Sequence, residues 1–465
     1  MRAMRPVHVI GAGLAGSECA FQLAARGIPV VLHEMRPERM TPAHSTGWCA
    51  ELVCTNSLRS DDPEHAAGLL KREMESFGSL VIGAARASAV PGGSALVVDR
   101  DQFSARITAT LERMPGVTIE RHEVTDLPDG DVVVATGPLT SPALTERIQG
   151  ILGSEHLYFY DSIAPIVEAD SLDTSRMFWA SRYGKGEGDD YLNVPLTREE
   201  YLAFHQELIT ADVVELHEFE KNLFFEGCLP IEEMARRGVD VLQHGPMKPV
   251  GLTPPDGSKP YAVLQLRQEN LSRSQFNMVG FQTRMKWSEQ RRVFRTLPGF
   301  ADAKFARFGQ VHRNTFINAP LHLDELYRLR KEPRVRLAGQ ITGVEGYLES
   351  AAAGLVVALY VALERRAETG QEFEPLPTTT ALGALARHLT QSDPRHFQPS
   401  NIQYGLFSEL TVRLPRRKRR AAYADRARRD LEAWRRKFEV PAVTPPAVDV
   451  EARMEAAEAV PTDVA

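Results

Sequence analysis

The first hydrophobic run of the chain, residues 6–10, leads directly into a glycine-rich turn, GAGLAG at residues 11–16. Apolar residues then recur with helical spacing until Gly27, where the pattern stops. A second apolar run at residues 30–33 is followed at once by the acidic residue Glu34. Strand, glycine turn, helix, strand and acid in this order predict a βαβ unit.

The pattern beyond Glu34 predicts a mixture of helices and strands. Residues 36–60 are polar and lack sustained periodicity, so we expect a long loop with short helical pieces, and such loops are usually functional. Helices are predicted at residues 64–77, 101–114, 198–209 and 348–366. Strands are predicted at residues 117–124, 131–137, 163–167, 261–266 and 277–280.

The glycine turn and Glu34 together predict a dinucleotide site. In such a turn Gly11 permits the tight bend, Gly13 lets the backbone approach a pyrophosphate, and Gly16 allows close helix packing. The amino terminus of the helix adds amide groups and partial positive charge. Glu34 can accept hydrogen bonds from both ribose hydroxyls, and its charge would repel a 2′-phosphate. We therefore expect the ADP moiety of FAD or NAD, with a merely structural glycine turn as the alternative.

A second glycine-rich loop favours FAD over NAD. A strand that ends at Gly339 and a helix that starts near Gly346 would aim a helix amino terminus at the N1 and C2-oxygen edge of a reduced flavin. The strand at 131–137 is expected to return beneath the cofactor. An ordinary strand-to-helix connection is the alternative for residues 338–347. The residues expected to bind FAD are Gly11, Ala12, Gly13, Leu14, Ala15, Gly16, Glu34, Met35, Arg36, Gly137, Gly339, Gln340, Gly343, Val344, Glu345 and Gly346.

These elements predict an α/β fold in which one domain interrupts another. The strand and loop at 334–347 resume the pattern of the first domain after a stretch of short strands and turns. We expect a Rossmann-like, glutathione-reductase-like FAD-binding domain with an inserted α+β domain and a C-terminal helical segment. The expected boundaries are 1–157 for the first part of the FAD-binding domain, 158–330 for the inserted substrate domain, 331–372 for the second part, 373–440 for the basic helical segment and 441–465 for a disordered tail.

Composition places the chain among globular proteins. Of its 465 residues, 43% are hydrophobic and 25% are charged, which excludes collagen-like, mucin-like and wholly disordered proteins. Apolar runs such as residues 354–363 are too short for a bilayer crossing, and no signal-peptide layout precedes the first strand. We therefore expect a cytoplasmic protein without membrane contact.

Cysteine usage indicates individual reactive thiols rather than a disulfide scaffold. The four cysteines form no disulfide framework and no CxxC zinc pair, so no metal is expected. Cys54 lies in the polar loop among basic and amide side chains, a setting that favours a thiolate. Cys228 lies in a turn punctuated by glycine and proline, which exposes a side chain. For both thiols, burial as a small hydrophobic residue is the open alternative, whereas Cys19 falls within the first helix and should only pack.

A basic segment near the carboxyl terminus indicates a nucleic-acid partner. The net charge is −6, yet residues 413–437 contain twelve Arg or Lys against three acids, with Tyr423 and Trp434 among them. A phosphate backbone rewards such a surface through counterion release, and we prefer this interpretation to a solvated, salt-bridged helix face. The cations expected to face RNA are Arg416, Arg417, Lys418, Arg419 and Arg420.

Several long motifs resemble those of the bacterial folate- and FAD-dependent tRNA (uracil-5-)-methyltransferases. These motifs are idiosyncratic, and they follow one another over most of the chain. The matching stretches are VIGAGLAGSE (9–18), EMRP (34–37), TPAH (41–44), AELVCTNSLR (50–59), GLLKREM (68–74), FEGCLPIE (225–232), GPMKPVGL (245–252) and AGQITGVEGYLESAAAGL (338–355).

The resemblance implies that the T-loop uridine of tRNA (position 54) is methylated at C5 to 5-methyluridine. It implies 5,10-methylenetetrahydrofolate as the carbon donor, reduced FAD as the methylene carrier and hydride source, and NAD(P)H as the reductant. In the family, the cysteine that matches Cys228 adds to C6 of the uracil, and the one that matches Cys54 assists near the flavin; we leave this division of roles open. Cysteine suits the nucleophile because it adds and leaves reversibly. Members of the family usually carry an aromatic residue at the position of Cys49. The cysteine that this chain has there admits a Cys49–Cys54 disulfide on oxidation.

Two other functions remain open. A related flavoprotein that modifies the wobble uridine of tRNA also joins FAD, folate and tRNA, although the motifs at 50–59 and 225–232 argue against it. A non-catalytic, flavin-bearing RNA-binding protein is the alternative from another class. Arg284, Lys286 and Trp287 suit a folate carboxylate, a phosphate or base stacking, or they are surface positions. The expected partners are the T-arm of tRNA, folate and a pyridine nucleotide, and the oligomeric state is open with a monomer favoured.

Overall fold

The computed structural model describes residues 4–153, 157–214, 229–367, 370, 372–451 and 454, with the backbone alone at residues 157–161, 311–315 and 416. The strands are β1 (Val7–Ile10), β2 (Val30–His33), β3 (Ser57–Ser60), β4 (Ala89–Val90), β5 (Ala95–Val98), β6 (Val117–Glu120), β7 (Val132–Val134), β8 (Leu157–Ser162), β9 (Ile166–Glu168), β10 (Phe178–Trp179), β11 (Tyr191–Leu196), β12 (Ala262–Gln268), β13 (Gln275–Met278), β14 (Phe305–Arg307), β15 (Val311–Phe316), β16 (Arg328–Leu329) and β17 (Glu332–Leu337). The helices are α1 (Leu14–Ala24), α2 (Ala66–Ser76), α3 (Leu80–Ala87), α4 (Arg100–Arg113), α5 (Pro142–Leu152), α6 (Arg198–Thr210), α7 (Ile231–Arg236), α8 (Val241–His244), α9 (Trp287–Phe294), α10 (Ala319–His322), α11 (Tyr347–Ala367), α12 (Ala381–Gln391) and α13 (Arg416–Lys437).

A six-stranded sheet in the order β16-β17-β7-β1-β2-β6 forms the centre of the first domain. The strands from β17 to β6 run parallel, with Val9 of β1 opposite both Leu32 and Val133, and β16 joins the edge antiparallel. The all-valine strand β7 is completely buried, as expected for a parallel strand covered on both faces. The carboxyl ends of the parallel strands meet at one edge of the sheet, where the glycine turn follows β1.

A second six-stranded sheet, β10-β11-β12-β13-β9-β14, is antiparallel and has a core of its own. Buried aromatic residues such as Tyr201, Phe204 and Phe281 fill that core. In the chain, its strands lie between β7 and β17, and an antiparallel ladder of β8 with β15 flanks them. The predicted α/β fold with an inserted α+β domain and a C-terminal helical segment is thus confirmed. The residue boundaries of the domains remain predictions.

The C-terminal helices are docked on the first domain. The buried carboxylate of Glu73 on α2 accepts hydrogen bonds from the amides of Ala381 and Leu382, at 2.8 and 2.9 Å, at the start of α12. Trp434 of α13 packs edge to face against Phe77, with ring centroids 6.5 Å apart. The segment is therefore held by both polar and aromatic contacts to α2 and the residue after it.

The structure corrects the sequence interpretation at several places. Helices α3 and α5 were not predicted, and neither were the short helices α7, α8, α9 and α10 after the predicted helix at 198–209. Residues 57–60 of the predicted loop form β3, which pairs with β5. The prediction of a disordered tail from residue 441 is wrong for residues 441–451: the amide of Val443 donates to the carbonyl of Phe77 at 3.1 Å, and Val450 is buried. Apolar side chains in this stretch find partners on the first domain, which composition alone did not reveal.

Helix α11 is long, apolar and largely buried. Among the described residues it is the helix that is long and apolar enough to cross a membrane, although the individual apolar runs are short. In the structure, 89% of its most apolar window is buried inside the protein. Its composition is that of a core helix, which packs against α1 through small residues: a Cβ at Gly354 would lie 2.1 Å from the carbonyl oxygen of Ala15.

Candidate functional site

A cleft lies at the carboxyl ends of the parallel strands and encloses about 1030 Å³ of space, part of it open to solvent. In open α/β sheets, ligands bind in this position. The structure brings ten of the predicted FAD-binding residues into its lining. These are Gly11, Gly13, Leu14, Ala15, Glu34, Met35, Arg36, Gly137, Gly339 and Gln340.

The glycines of the first turn have different physical reasons for being glycine. Gly11 has a φ of 97°, and a Cβ there would lie 2.8 Å from the carbonyl oxygen of Ala135. A Cβ at Gly16 would lie 1.8 Å from the carbonyl oxygen of Gly11, so a side chain is excluded by packing. At Gly13, the N-cap of α1, a Cβ would meet nothing within 4 Å. The turn is thus tight on the sheet side and open at the helix amino terminus, where a pyrophosphate fits.

Glu34 is buried at the end of β2, and its carboxylate accepts four hydrogen bonds. The amide of Ala12 donates to Oε2 at 2.9 Å. Arg36 donates from its amide, at 3.0 Å, and from Nε, at 2.9 Å, to Oε1, and from Nη2 to Oε2 at 3.1 Å. Burial alone would raise the pKa of Glu34, but these bonds and the Arg36 charge hold it below its usual value. The carboxylate is therefore ionised, and ribose hydroxyls would share it with Arg36.

Arg36 also ties the polar loop to the cleft. Its Nη1 donates to Glu51 Oε2 at 3.2 Å and to the carbonyl of Thr46 at 3.3 Å. Glu51 in turn accepts the amides of Ser45, at 2.8 Å, and Thr46, at 3.0 Å. This network folds the loop at 36–60 against the cleft entrance, and Glu51 itself lines the cleft.

Cys54 is half-buried in the same loop, beside the cleft. Its amide donates to the hydroxyl of Tyr347 at 2.5 Å, and both Tyr347 and Val53 line the cleft. Its carbonyl accepts hydrogen bonds from Arg100 Nη2 and Arg307 Nη2, each at 3.0 Å. The thiol-bearing residue therefore adjoins the cleft on one side and the second sheet on the other.

Sequence reasoning missed the arginines around Cys54. Arg100 begins α4, whereas Arg267 and Arg307 belong to β12 and β14 of the second sheet. They lie 46 to 254 residues from their partners in the loop, so no local pattern relates them to Cys54. The available signal was a single arginine in each of the strands β12 and β14, and such a residue does not specify a partner.

The second glycine-rich loop meets the C-terminal segment. Gly343 and Gly346 have φ angles of 89° and 103°, and α11 begins at Tyr347. The amide of Glu345 donates to the carbonyl of Ser400 at 3.0 Å, and the amide of Ser400 donates to the carbonyl of Gly343 at 3.2 Å. Gly339 and Gln340 line the cleft, but residues 343–346 are outside its lining and shape the amino end of α11. Ala12 and Gly16 are likewise buried beneath the turn rather than in the cleft.

The other thiols are placed differently. Cys19 is buried within α1, and burial raises its pKa. Cys49 is also buried, and burial raises its pKa against the opposing charges of Arg121 and Arg36. No disulfide joins Cys49 to Cys54 in the structure. Cys228 lies outside the described residues.

The predicted substrate residues of the second domain differ in availability. Arg284 is engaged by Glu233, with Nε at 3.1 Å from Oε1, and by the carbonyl of Val214 at 3.0 Å. Lys286 pairs with Asp212 at 3.5 Å near the surface. Trp287 is 57% exposed and stacks on Phe308 with ring centroids 5.7 Å apart. Of the three residues, Trp287 presents the most free surface to a substrate.

The predicted RNA-facing cations occupy the first turns of α13. Arg417, Lys418, Arg419 and Arg420 are exposed, and α13 begins at Arg416, whose side chain lies outside the described residues. The first turn contains no acidic residue. Cations at a helix amino terminus oppose the helix dipole and repel one another, so this arrangement costs stability unless an anion meets it.

One cluster that the sequence did not predict lies beside the cleft. Ligand atoms of His33, Glu120 and His122 lie within 4.8 Å of one another, and among the described residues this group could hold a metal ion. His33 also stacks on His8, with Nδ1 of His8 at 3.0 Å from Nε2 of His33. Strand pairing of β2 with β6 places His33 opposite Glu120, 87 residues later in the sequence numbering.

Comparison with known proteins identifies the family. A family model described as glucose inhibited division protein A matches residues 6–369. A methylenetetrahydrofolate–tRNA-(uracil-5-)-methyltransferase TrmFO of Myxococcus xanthus is 56% identical over 446 residues, covering 95% of this chain and 97% of that protein. The proteins of the same name from Geobacter sulfurreducens and Paramagnetospirillum magneticum are 53% and 54% identical, each covering 92% of this chain and 98% of its own length. The chain belongs to the TrmFO family.

Solved structures agree with this fold for a TrmFO family member. GidA of Aquifex aeolicus in its form II crystal gives a TM-score of 0.66 at 14% identity, covering 98% of this chain and 76% of that chain. The form I crystal gives 0.64 at 16% identity, with 94% and 78% covered. At this identity the likeness concerns the fold alone. It agrees with the confirmed prediction of a Rossmann-like flavoprotein fold.

Proposed function

We propose that this chain methylates C5 of the T-loop uridine (position 54) of tRNA to give 5-methyluridine. In this proposal 5,10-methylenetetrahydrofolate donates the carbon, FAD is the bound cofactor and NAD(P)H is the reductant. The observation that carries it is 56% identity over 446 residues to a TrmFO methyltransferase. A match over 95% of the chain includes the cleft, the second sheet and the C-terminal helices, so the relatedness is not confined to a cofactor domain.

FAD fits the cleft by the shape and charge of its lining. The open surface at Gly13 suits the pyrophosphate, ionised Glu34 suits the ribose, and Gly339 with Gln340 lies where β17 ends at the flavin side. Bound FAD would supply the redox chemistry and carry the one-carbon unit. The chain's own part is to hold the ring and to exclude water from it.

Cys54 and Cys228 are assigned to the chemistry at the uracil. A thiolate that adds to C6 makes C5 nucleophilic enough to capture a one-carbon electrophile, and it leaves again when the C5 proton is lost. The position of Cys54 beside Tyr347 and the cleft supports its assignment. The assignment of Cys228 rests on the motif at residues 225–232, and variants of both residues decide the division of roles.

The tRNA is proposed to contact two surfaces. The cations that begin α13 lack acidic neighbours in the first turn, so an RNA phosphate backbone would relieve their repulsion. The exposed ring of Trp287 offers a face on which a base can stack. We further propose that the enzyme is specific for the T-arm, that a pyridine nucleotide is its electron source and that it is a monomer. We also propose a cytoplasmic location, since the tRNA substrate is found there.

The experiment combines the purified protein with a T-loop-unmodified tRNA transcript, NADPH and methylenetetrahydrofolate that is deuterated at the methylene carbon. We expect 5-methyluridine that carries the deuterium, detected by mass spectrometry of the nucleosides. The product should be absent without folate and with a transcript in which the T-loop uridine is replaced by cytidine. Cys54→Ser and Cys228→Ser should each abolish it, whereas the buried Cys19→Ala should retain it.

The alternatives predict different outcomes in the same reaction. Modification confined to the wobble uridine would identify the related flavoprotein and overturn the proposal. A yellow, tRNA-binding protein without any modified nucleoside would identify a non-catalytic binding protein. Product formation in the Cys228→Ser variant at the wild-type rate would remove the nucleophile assignment of that residue.

A further inference from the structure

Three arginines from different elements converge on residues 52–56 of the Cys54 loop. Arg100 of α4 donates to the carbonyls of Leu52 and Cys54. Arg307 of β14 donates to the carbonyls of Val53, at 2.9 Å, and Cys54, at 3.0 Å. The Cys54 carbonyl is therefore held between two guanidinium groups, one from each sheet's domain.

Arg267 completes this cluster on the side of β12. It is buried, and it donates from Nη2 to Thr55 Oγ1 at 2.6 Å and from Nε to Asn56 Oδ1 at 2.9 Å. The side-chain amide of Asn56 in turn donates to the carbonyls of Val98 and Gln268, at 2.9 and 3.0 Å. The backbone on both sides of Cys54 is thus fixed to the two domains at once.

Among the described residues, the three arginines of the cluster outnumber the carboxylates that face all of them. Glu269 is the carboxylate that faces all three guanidinium groups, and it forms an ion pair with Arg100. Tyr347 of α11 also faces the loop, and burial keeps it in its neutral form by raising its pKa. Asp101, next to Arg100 in α4, and Glu349 of α11, which pairs with Arg59, are the further acids nearby among the described residues, and burial raises the pKa of both. Burial lowers the pKa of Arg267 and of Arg307, and the nearby charge of Arg100 lowers both further. Bringing these charges together is therefore costly.

A purely structural role for the three arginines does not account for the cost of burying their charges together. Main-chain carbonyls and the oxygens of Thr55 and Asn56 can be satisfied by neutral donors at less desolvation penalty. A thiolate at Cys54 would supply negative charge here, and that charge would oppose the effect of burial on the pKa of Arg100, Arg267 and Arg307. Coupling between charges is mutual, so the same arginines favour the ionised thiol.

We propose that Arg100, Arg267 and Arg307 are positioning residues that stabilise the thiolate of Cys54 and fix it beside the cleft. The inference rests on the proposed function in that Cys54 acts there as a thiolate. Because Arg267 and Arg307 belong to the second sheet, ionisation of Cys54 depends on the contact between the two domains. The three arginines thus keep the Cys54 thiol reactive while the two domains are in contact.

The test measures alkylation of Cys54 by iodoacetamide in the full-length protein as a function of pH, with peptide mass spectrometry to separate Cys54 from Cys49. For Arg307→Gln we expect the pH midpoint of alkylation to rise by about one unit, with about tenfold slower labelling below both midpoints. Arg307→Lys keeps the charge and should restore most of the rate. The matched control is Arg334→Gln, since Arg334 also donates to main-chain carbonyls, those of Pro128 and Gly130, but at the opposite end of the first sheet.

An unchanged midpoint in a folded Arg307→Gln protein would overturn the proposal. If that variant fails to fold, Arg100→Lys and Arg267→Lys are measured instead. Both keep the positive charge, so the midpoint of alkylation should stay close to that of the wild-type protein. A midpoint that rises by a full unit in both variants would also overturn the proposal. The alkylation measurement needs neither tRNA nor folate. Suppose that the midpoint shifts in the variant but the wild-type protein makes no 5-methyluridine. That result supports the role of the three arginines at Cys54 and counts against the proposed function alone.

Discussion

The hydroxyl of Tyr347 accepts a hydrogen bond from the amide of Cys54 at 2.5 Å, across 293 residues of sequence. Tyr347 is the first residue of α11, and α11 is the core helix whose amino end follows the second glycine-rich loop. The bond thus joins the thiol loop to the helix that flanks the cleft. A change at Tyr347 should therefore act on the position of Cys54.

Tyr347→Phe should lower the rate of 5-methyluridine formation by about tenfold, because the Cys54 amide loses its partner and the loop is less well fixed. The matched control is Tyr360→Phe in the same helix, since the Tyr360 hydroxyl accepts the amide of Leu376 at 3.1 Å far from the cleft. That control should cost about 1–3 kcal/mol of stability and leave the rate unchanged. Equal rates in both variants would contradict the role given to Tyr347.

Glu34→Gln should reduce the flavin bound per protein by about tenfold or more. The Ala12 amide and the Arg36 guanidinium both donate to the Glu34 carboxylate. A glutamine would place an NH2 group against one of these donors, and a buried donor without an acceptor is costly. The measurement is flavin absorbance against protein absorbance after purification, followed by titration with FAD. Glu120→Gln, at the end of the neighbouring strand β6, is the control, and it should retain the cofactor. Full flavin occupancy in Glu34→Gln would remove Glu34 from the site.

Glu73 should make the protein less stable as the pH rises towards 8. Burial raises the pKa of Glu73 from 4.5 to about 8, although the amides of Ala381 and Leu382 oppose this shift. The folded state therefore binds more protons than the unfolded state between these values, so this contribution is fully present below about pH 4.5 and is lost as the pH passes through about 8. We expect a loss of a few kcal/mol in the free energy of unfolding, measured by urea denaturation at several pH values.

The variant Glu73→Gln should flatten this pH dependence, because the titrating group is gone. Glu75→Gln on the same helix should keep the wild-type slope, since Glu75 forms surface ion pairs with Arg72 and Arg86. A slope that is identical in Glu73→Gln and the wild-type protein would show that Glu73 is already ionised in the folded state at low pH.

Replacing Arg417, Lys418, Arg419 and Arg420 together by glutamine should raise the KM for tRNA by about tenfold or more. The slope of log affinity against log salt concentration should also fall in magnitude by about three, since each phosphate contact contributes somewhat less than one. Flavin content should not change. The control replaces Arg428 and Arg436 by glutamine, as these residues of the same helix are paired with Asp425 and Glu432, at 3.0 and 2.8 Å. An unaltered salt slope in the fourfold variant would place the RNA elsewhere.

Local patterns in the sequence were sufficient for the first βαβ unit and for α11. Strands β1 and β2 end where the apolar runs end, and α11 spans Tyr347–Ala367 against a predicted 348–366. These elements have short-range causes: apolar spacing, a glycine that permits a turn, and small residues where helices approach closely. The same causes placed ten of the proposed cofactor residues in one cleft.

Long-range pairings could not be predicted in the same way. Residues 57–60 form a strand because β5 lies beside them, and Glu73 is buried because α12 begins against it. The bond from Arg267 to Asn56 spans 211 residues and joins the second sheet to the loop that carries Cys54, so nothing near either residue indicates it. The surroundings of Cys54 thus depended on how the domains meet, and only the choice of Cys54 itself came from its motif.

The most direct test of the central claim is a crystal structure with FAD bound, in which the distance from Cys54 Sγ to flavin N5 is measured. The claim is that the thiol and the flavin ring share one cavity that a uracil can enter. We predict a separation of about 4–6 Å, which leaves room for a reacting carbon at near-attack distance from each. A separation beyond about 10 Å, with Tyr347 standing between the sulfur and the ring, would contradict it.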